Sequence, residues 1–251
     1  MTVFSDCEQH VTIWTLDNDS AQLKQQGLSA ALPLDQLSRG LVGASFSGVP
    51  LGWKKWLAIA DARHTGLVRQ YEYTRGNDLV CRYAGESDEG ITLETSWQLL
   101  EADPSSVGLE LLISVQNNPT GEEPVVTVGT TGQVDECLVL DADAMGWSRV
   151  ERVPGSIILE SPAAILCRWS DRDFSYLEML HPADLRAGEL GWGPEVAGEL
   201  AWTLQLMHHQ LEKGVIRRSR IQAWLIARDA DQQLAEGIFM QFRDADCPLG
   251  S

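Results

Sequence analysis

From Glu199 to Arg228 the chain reads ELAWTLQLMHHQLEKGVIRRSRIQAWLIAR, and the spacing of its apolar residues decides the fold class. Leu200, Trp202, Leu204 and Leu206 stand at every second position, and so do Ile221, Ala223, Leu225 and Ala227. A period of two belongs to a strand with one buried face, whereas a helix repeats about every 3.6 residues. Glu212-Lys213-Gly214 interrupts the pattern, and Gly214 tolerates the backbone of a tight turn. The spacing predicts two long strands, 199–211 and 215–228, paired as an antiparallel hairpin. With the turn centred between Lys213 and Gly214, Leu206 faces Ile221, Leu204 faces Ala223, Trp202 faces Leu225 and Leu200 faces Ala227. A slip of one residue sets Leu206 against Arg220 and scrambles both faces, so burial selects this register.

The same period recurs along the chain. Ile91, Leu93, Thr95, Trp97 and Leu99 alternate with Thr92, Glu94, Ser96 and Gln98. Leu109, Leu111, Ile113 and Val115 alternate with Glu110, Leu112, Ser114 and Gln116. Asp103-Pro104-Ser105-Ser106 between them has turn chemistry, so this pair also reads as a hairpin. Further strands are expected over 11–16, 56–60, 67–73, 79–83, 125–128, 137–140, 157–160, 164–169 and 176–180. Helical signals are sparse: 21–31, 34–42, and 231–244 with Asp231 as its cap, although Ile238, Met240 and Phe242 also alternate. No fixed-period repeat and no linker divides the 251 residues. The expected fold is a single domain over 1–251, all-β and mainly antiparallel: a large two-sheet β-sandwich or supersandwich with one or two short helices.

In the hairpin register, the face turned from the core sets His209 beside Arg218, Met207 beside Arg220, Gln205 beside Gln222, and Thr203 beside Trp224. Sugars ask for such a mixture, because their C–H faces stack on an aromatic ring while their hydroxyls need paired donors and acceptors. Gln205, Arg218, Arg220, Gln222 and Trp224 are therefore the candidate ligand-binding residues. An outward antiparallel face is also ordinarily polar, and one Trp can pack beneath a loop. For chemistry, His181 lies in EMLHPAD (178–184) at the end of a strand, where a loop can project it into a cleft as a general acid. His209 falls on the polar side, where Arg218 favours its neutral form. Glu178 is among the nearest carboxylates, and a His and Glu couple can exchange protons with a sugar's ring oxygen and anomeric hydroxyl.

Other chemistries find little footing. His209 with Glu212, or His181 with Asp184, offers two metal ligands where a catalytic site needs three, so no metal is expected. No phosphate loop, dinucleotide turn or serine elbow occurs, and no cofactor is expected. Thirty-six acidic against 19 basic residues give a charge of −17, which repels nucleic acid and anionic membranes. The segment MTVFSDCEQH has no features of a secretory signal, and Cys7, Cys81, Cys137, Cys167 and Cys247 are scattered and odd in number. Reduced thiols and a cytoplasmic location are the expectation.

The many short antiparallel strands, the long late strand pair and the His181 loop resemble the galactose mutarotase-like β-supersandwich, the fold of aldose epimerases and of domains of polysaccharide-acting enzymes. The resemblance implies a histidine acid and a glutamate base over one sheet, with His181 matching the former and no glutamate matched to the latter. Two function classes follow. One is a carbohydrate-binding or carbohydrate-modifying protein, of aldose epimerase type, taking a mono- or oligosaccharide. The other is a noncatalytic β-sandwich whose face or strand edge binds a protein or a second copy, a homo-oligomer in which Trp53 and Trp56 serve as anchors.

Overall fold

The computed structural model describes residues 13–61, 66–85, 91–103, 106–117, 125–141, 145–159, 162–184, 187–206 and 212–245. The chain begins with β1 (Trp14–Leu16), β2 (Ser20–Gln25), β3 (Leu28–Pro33), β4 (Val42–Phe46) and β5 (Val49–Pro50). These five pair in chain order as one small antiparallel sheet. The helices expected over 21–31 and 34–42 are thereby corrected. Ala21 and Leu23 on β2, and Leu28, Ala30 and Leu32 on β3, alternate into the core. Gln26 and Gly27 both take positive φ, 49° and 78°, which is the backbone of a tight hairpin turn. Of the second helix only a single 3-10 turn forms, Leu37–Arg39.

Next come β6 (Trp53–Asp61), β7 (Val68–Arg75), β8 (Asp78–Ala84), β9 (Ile91–Asp103), β10 (Ser106–Asn117), β11 (Val126–Gln133), β12 (Glu136–Asp141) and β13 (Trp147–Arg149). The last strands are β14 (Gly155–Leu159), β15 (Pro162–Arg168), β16 (Phe174–Leu180), β17 (Ala187–Trp192), β18 (Glu199–Gln205) and β19 (Ile216–Ala227), followed by α1 (Asp231–Asp244). A large nine-stranded sheet has the order β13-β12-β15-β16-β19-β10-β9-β8-β7, and a second five-stranded sheet the order β14-β17-β18-β11-β6. β9 and β10 form the hairpin that their alternation predicts, with Leu109 opposite Leu99 and Leu111 opposite Trp97.

The long late hairpin does not form. β18 lies between β17 and β11 in the second sheet, while β19 lies between β16 and β10 in the large sheet. Leu200, Trp202, Leu204 and Leu206 still share one buried cluster with Ile221, Ala223 and Leu225. They belong to facing sheets, packed across the interior. Apolar alternation is satisfied equally by pairing edge to edge or by facing across a core. Trp53 and Trp56 are core residues, 8% and 1% exposed, and not exposed anchors.

α1 covers part of the other face of the large sheet. Ala235, Phe239 and Phe242 pack there on Leu140, Leu166, Leu177, Met179, Trp224 and Ile226. Its N-cap is Ala230, in the left-handed region at φ 58°, and Asp231 is its buried first residue, not its cap. The Asp231 carboxylate instead accepts two bonds from Arg168, at 2.8 and 2.5 Å, and one from Ser175 at 2.6 Å, fastening the helix to β15 and β16.

Candidate functional site

The large sheet has an inner face buried against the second sheet and an outer face that α1 covers only in part. Even-numbered β19 residues from Arg218 to Trp224 point outward, while Ile221, Ala223 and Leu225 point into the core. Arg218, Arg220, Gln222 and Trp224 therefore do share a face. Gln205 does not, because it lies on β18 of the opposite sheet. His208 and His209 lie outside the described residues.

Glu178 and His181 are separated by the pleat of their own strand. Glu178 is opposite Ala223, on the inner side, and is 1% exposed. Three donors hold it: Tyr176 OH at 2.6 Å and Thr130 Oγ1 at 2.8 Å to Oε2, and Trp202 Nε1 at 2.7 Å to Oε1. Trp56 Nε1 donates in turn to Tyr176 OH at 2.8 Å. Burial raises the Glu178 pKa, and the three hydrogen bonds oppose that shift without cancelling it. His181 stands at the end of β16 on the outer side, its ring edge-on to Phe242 with centroids 5.6 Å apart. The Ala183 amide lies 3.3 Å from its Nδ1, so Nε2 carries the proton and donates to Arg243 O at 3.1 Å.

Arg220 and Trp224 also serve α1. The Arg220 guanidinium lies over the Phe242 ring, Cζ 5.3 Å from its centroid, and Nη2 donates to Ala245 O at 2.9 Å. Its backbone amide donates to Asp184 Oδ2 at 3.0 Å, and burial raises the Asp184 pKa. Trp224 is 6% exposed and lies flat on Gly108 of β10, where a Cβ would meet its ring at 2.5 Å. Its Nε1 donates to Gln222 Oε1 at 3.0 Å, and Gln222 Nε2 donates to Glu110 Oε2 at 2.7 Å.

Beyond the helix the outer face is open and polar. Strand register aligns Tyr71, Arg82, Glu94, Ser114 and Arg218 in one row across β7, β8, β9, β10 and β19. The next row holds Tyr73, Val80, Ser96, Leu112 and Arg220. Tyr71 and Tyr73 are 41% and 44% exposed, with ring centroids 6.1 Å apart. Tyr71 OH donates to Glu94 Oε2 at 3.0 Å, and Arg82 pairs with the same carboxylate at 3.8 Å. Thr92, Gln116 and Ile216 extend this surface at one side, and with Arg82, Glu94, Ser114 and Arg218 they line a shallow depression. The alternation of β9 and β10 reveals the polar middle of the row. Tyr71 and Arg82 are not legible as its continuation, because only the pairing with β7 and β8 brings them there.

Among the described residues no group of three or more His, Cys, Asp or Glu side chains is placed to hold a metal ion. Cys81, Cys137 and Cys167 are buried free thiols. No described helix is long and apolar enough to cross a membrane.

No protein-family model matches the chain, and no curated protein sequence matches it. Solved structures do. A galactose mutarotase-like protein from Lactobacillus casei ATCC 334 superposes with a TM-score of 0.57 at 10% identity, over 82% of this chain and 99% of that one. The galactosidase domain of the α-galactosidase-sucrose kinase AgaSK gives 0.55 at 8% identity, over 85% of this chain and 42% of that one. A structure provisionally described as an aldose 1-epimerase, from Klebsiella pneumoniae subsp. pneumoniae MGH 78578, gives 0.50 at 10% identity, over 93% and 87%. At such identities the likeness establishes the fold alone: an all-β, galactose mutarotase-like sandwich.

Proposed function

We propose that a single β-sandwich domain spanning 1–251 binds carbohydrate on the open part of the outer face. The observation that carries this reading is the row Tyr71, Arg82, Glu94, Ser114 and Arg218. Exposed tyrosine rings at the sheet margin suit the C–H face of a sugar, and the charged and hydroxyl groups beside them suit its hydroxyls. Four strand-to-strand steps of about 4.8 Å make the row about 19 Å long, which favours an oligosaccharide over one sugar ring. The sugar-related names among the structural neighbours support this class of ligand by analogy of fold.

Aldose epimerase-type chemistry has weaker support. It needs an acid and a base over the same ring, and Glu178 and His181 point to opposite faces of the large sheet. The competing class, a noncatalytic self-association module, draws on the edge strand β14, where Ile157 and Ile158 are 48% and 78% exposed.

Under the carbohydrate reading, Tyr71→Ala and Arg218→Ala each weaken an oligosaccharide ligand about tenfold, roughly 1.4 kcal/mol, with the far-ultraviolet circular dichroism unchanged. Calorimetry across a panel of neutral oligosaccharides checks this. No saturable heat with any of them overturns the proposal, and a mass that rises with concentration then favours the β14 edge.

A further inference from the structure

Five connections between strands of the three sheets meet at one end of the sandwich: 51–52, 134–135, 150–154, 169–173 and 193–198. They border an open cavity of about 360 Å³ lined by Arg152, Arg172, Trp169, Asp135, Gly198 and, from β11, Gln133, among others. That volume falls within the range of small-molecule sites, and loop clusters on a rigid sheet scaffold are where binding residues concentrate. None of these residues belongs to the row of Tyr71, so the inference stands apart from the carbohydrate reading.

The two arginines come from different connections, and each is laid over an aromatic ring. Arg172 Cζ is 4.0 Å from the Trp169 centroid and 5.6 Å from that of Phe174, while Arg152 Cζ is 5.3 Å from the Trp192 centroid. Stacking fixes the plane of a guanidinium yet uses none of its N–H donors. Arg172 Nη1 reaches Leu51 O only at 3.4 Å, and its buried Nε has no hydrogen-bond partner. Its ion-pair partner Asp171 stands 3.8 Å away with its own side chain 81% exposed. Asp135, the cavity's other carboxylate, accepts the Ser170 amide and hydroxyl at Oδ2, both at 2.7 Å, and its charge also acts on Arg152 and Arg172. The backbone makes room for Arg152, since Gly198 has φ +79° and a Cβ there would collide with Nη2 of that arginine.

We infer that this cavity binds a small oxyanion, a carboxylate or a phosphate group, gripped between Arg152 and Arg172. Planar guanidinium forks match either anion with paired N–H bonds. The chain's charge of −17 does not forbid this, because a Debye length of about 8 Å at physiological salt screens the repulsion from acidic residues that lie farther away.

The test titrates the full-length, isotope-labelled chain with inorganic phosphate, sodium glucuronate and glucose in turn. The indole N–H signals of Trp169 and Trp192 and the Nε–H of Arg172 are followed. One or both anions give saturable shifts with a dissociation constant of about 1 mM or tighter, and glucose gives none. A response to phosphate alone or to glucuronate alone supports the proposal and assigns the oxyanion. Arg152 is exposed, so Arg152→Ala leaves the melting temperature in place and weakens the anion at least about tenfold. No saturable response to either anion, an equal response to glucose, or constants unchanged in both Arg152→Ala and Arg172→Lys overturns it.

Discussion

At Glu178, burial and hydrogen bonding pull the carboxyl in opposite directions, and burial prevails. The folded chain therefore holds this proton more tightly than the unfolded chain does. As pH rises from the ordinary carboxylate value of 4.5 through the raised folded value, the folded state carries the extra proton and stability falls. Below that window the contribution is fully present. Glu178→Gln is expected to flatten this part of the profile, with each pKa unit of difference amounting to about 1.4 kcal/mol. Urea midpoints of the native chain and the variant, measured from about pH 4 to pH 8, check it, and parallel profiles contradict it. This residue also marks a limit of sequence reading. EMLHPAD shows that Glu178 and His181 are close in the chain, but only the pleat of β16 puts one in the core and the other outside.

The elements differ in how far they can be read, and the difference follows contact distance along the chain. β9 and β10 are only two residues apart in the chain, so alternation and the turn chemistry of the sequence between them fix both partners. β18 and β19 are equally alternating, yet their apolar sides meet across the interior, and their in-sheet neighbours β11, β17, β10 and β16 come from elsewhere in the chain. Burial alone does not distinguish the two arrangements. β2 and β3 are rich in Ala, Leu, Gln and Lys, residues that favour helices, and the paired positive φ at Gln26 and Gly27 overrides that preference. α1 is legible because its period survives, with Ala235, Phe239 and Phe242 on one face. Phe239 is fully buried against the large sheet, so Phe239→Ala should cost about 3 to 5 kcal/mol of unfolding free energy. A loss below about 1 kcal/mol in denaturant titration would mean that α1 does not pack as described.

In the whole molecule, the large sheet divides labour between its faces. The inner face builds the core with both smaller sheets, and the outer face is shared between α1 and the polar rows. Sequence reading finds Arg218, Arg220, Gln222 and Trp224 on one surface because period two is local. It does not find that α1 engages Arg220 and buries Trp224, leaving Arg218 with residues of β7 to β10. Acidity likewise says little about the site, since Arg82 and Arg218 flank Glu94 and Ser114 within a chain of charge −17. The most direct test of the carbohydrate reading is a map of amide chemical shifts as a neutral oligosaccharide is added. The account predicts saturable changes grouped on β7, β8, β9, β10 and the Arg218 end of β19, with the amides of α1 unmoved. Changes confined to another surface, or none across the oligosaccharide panel, would contradict it.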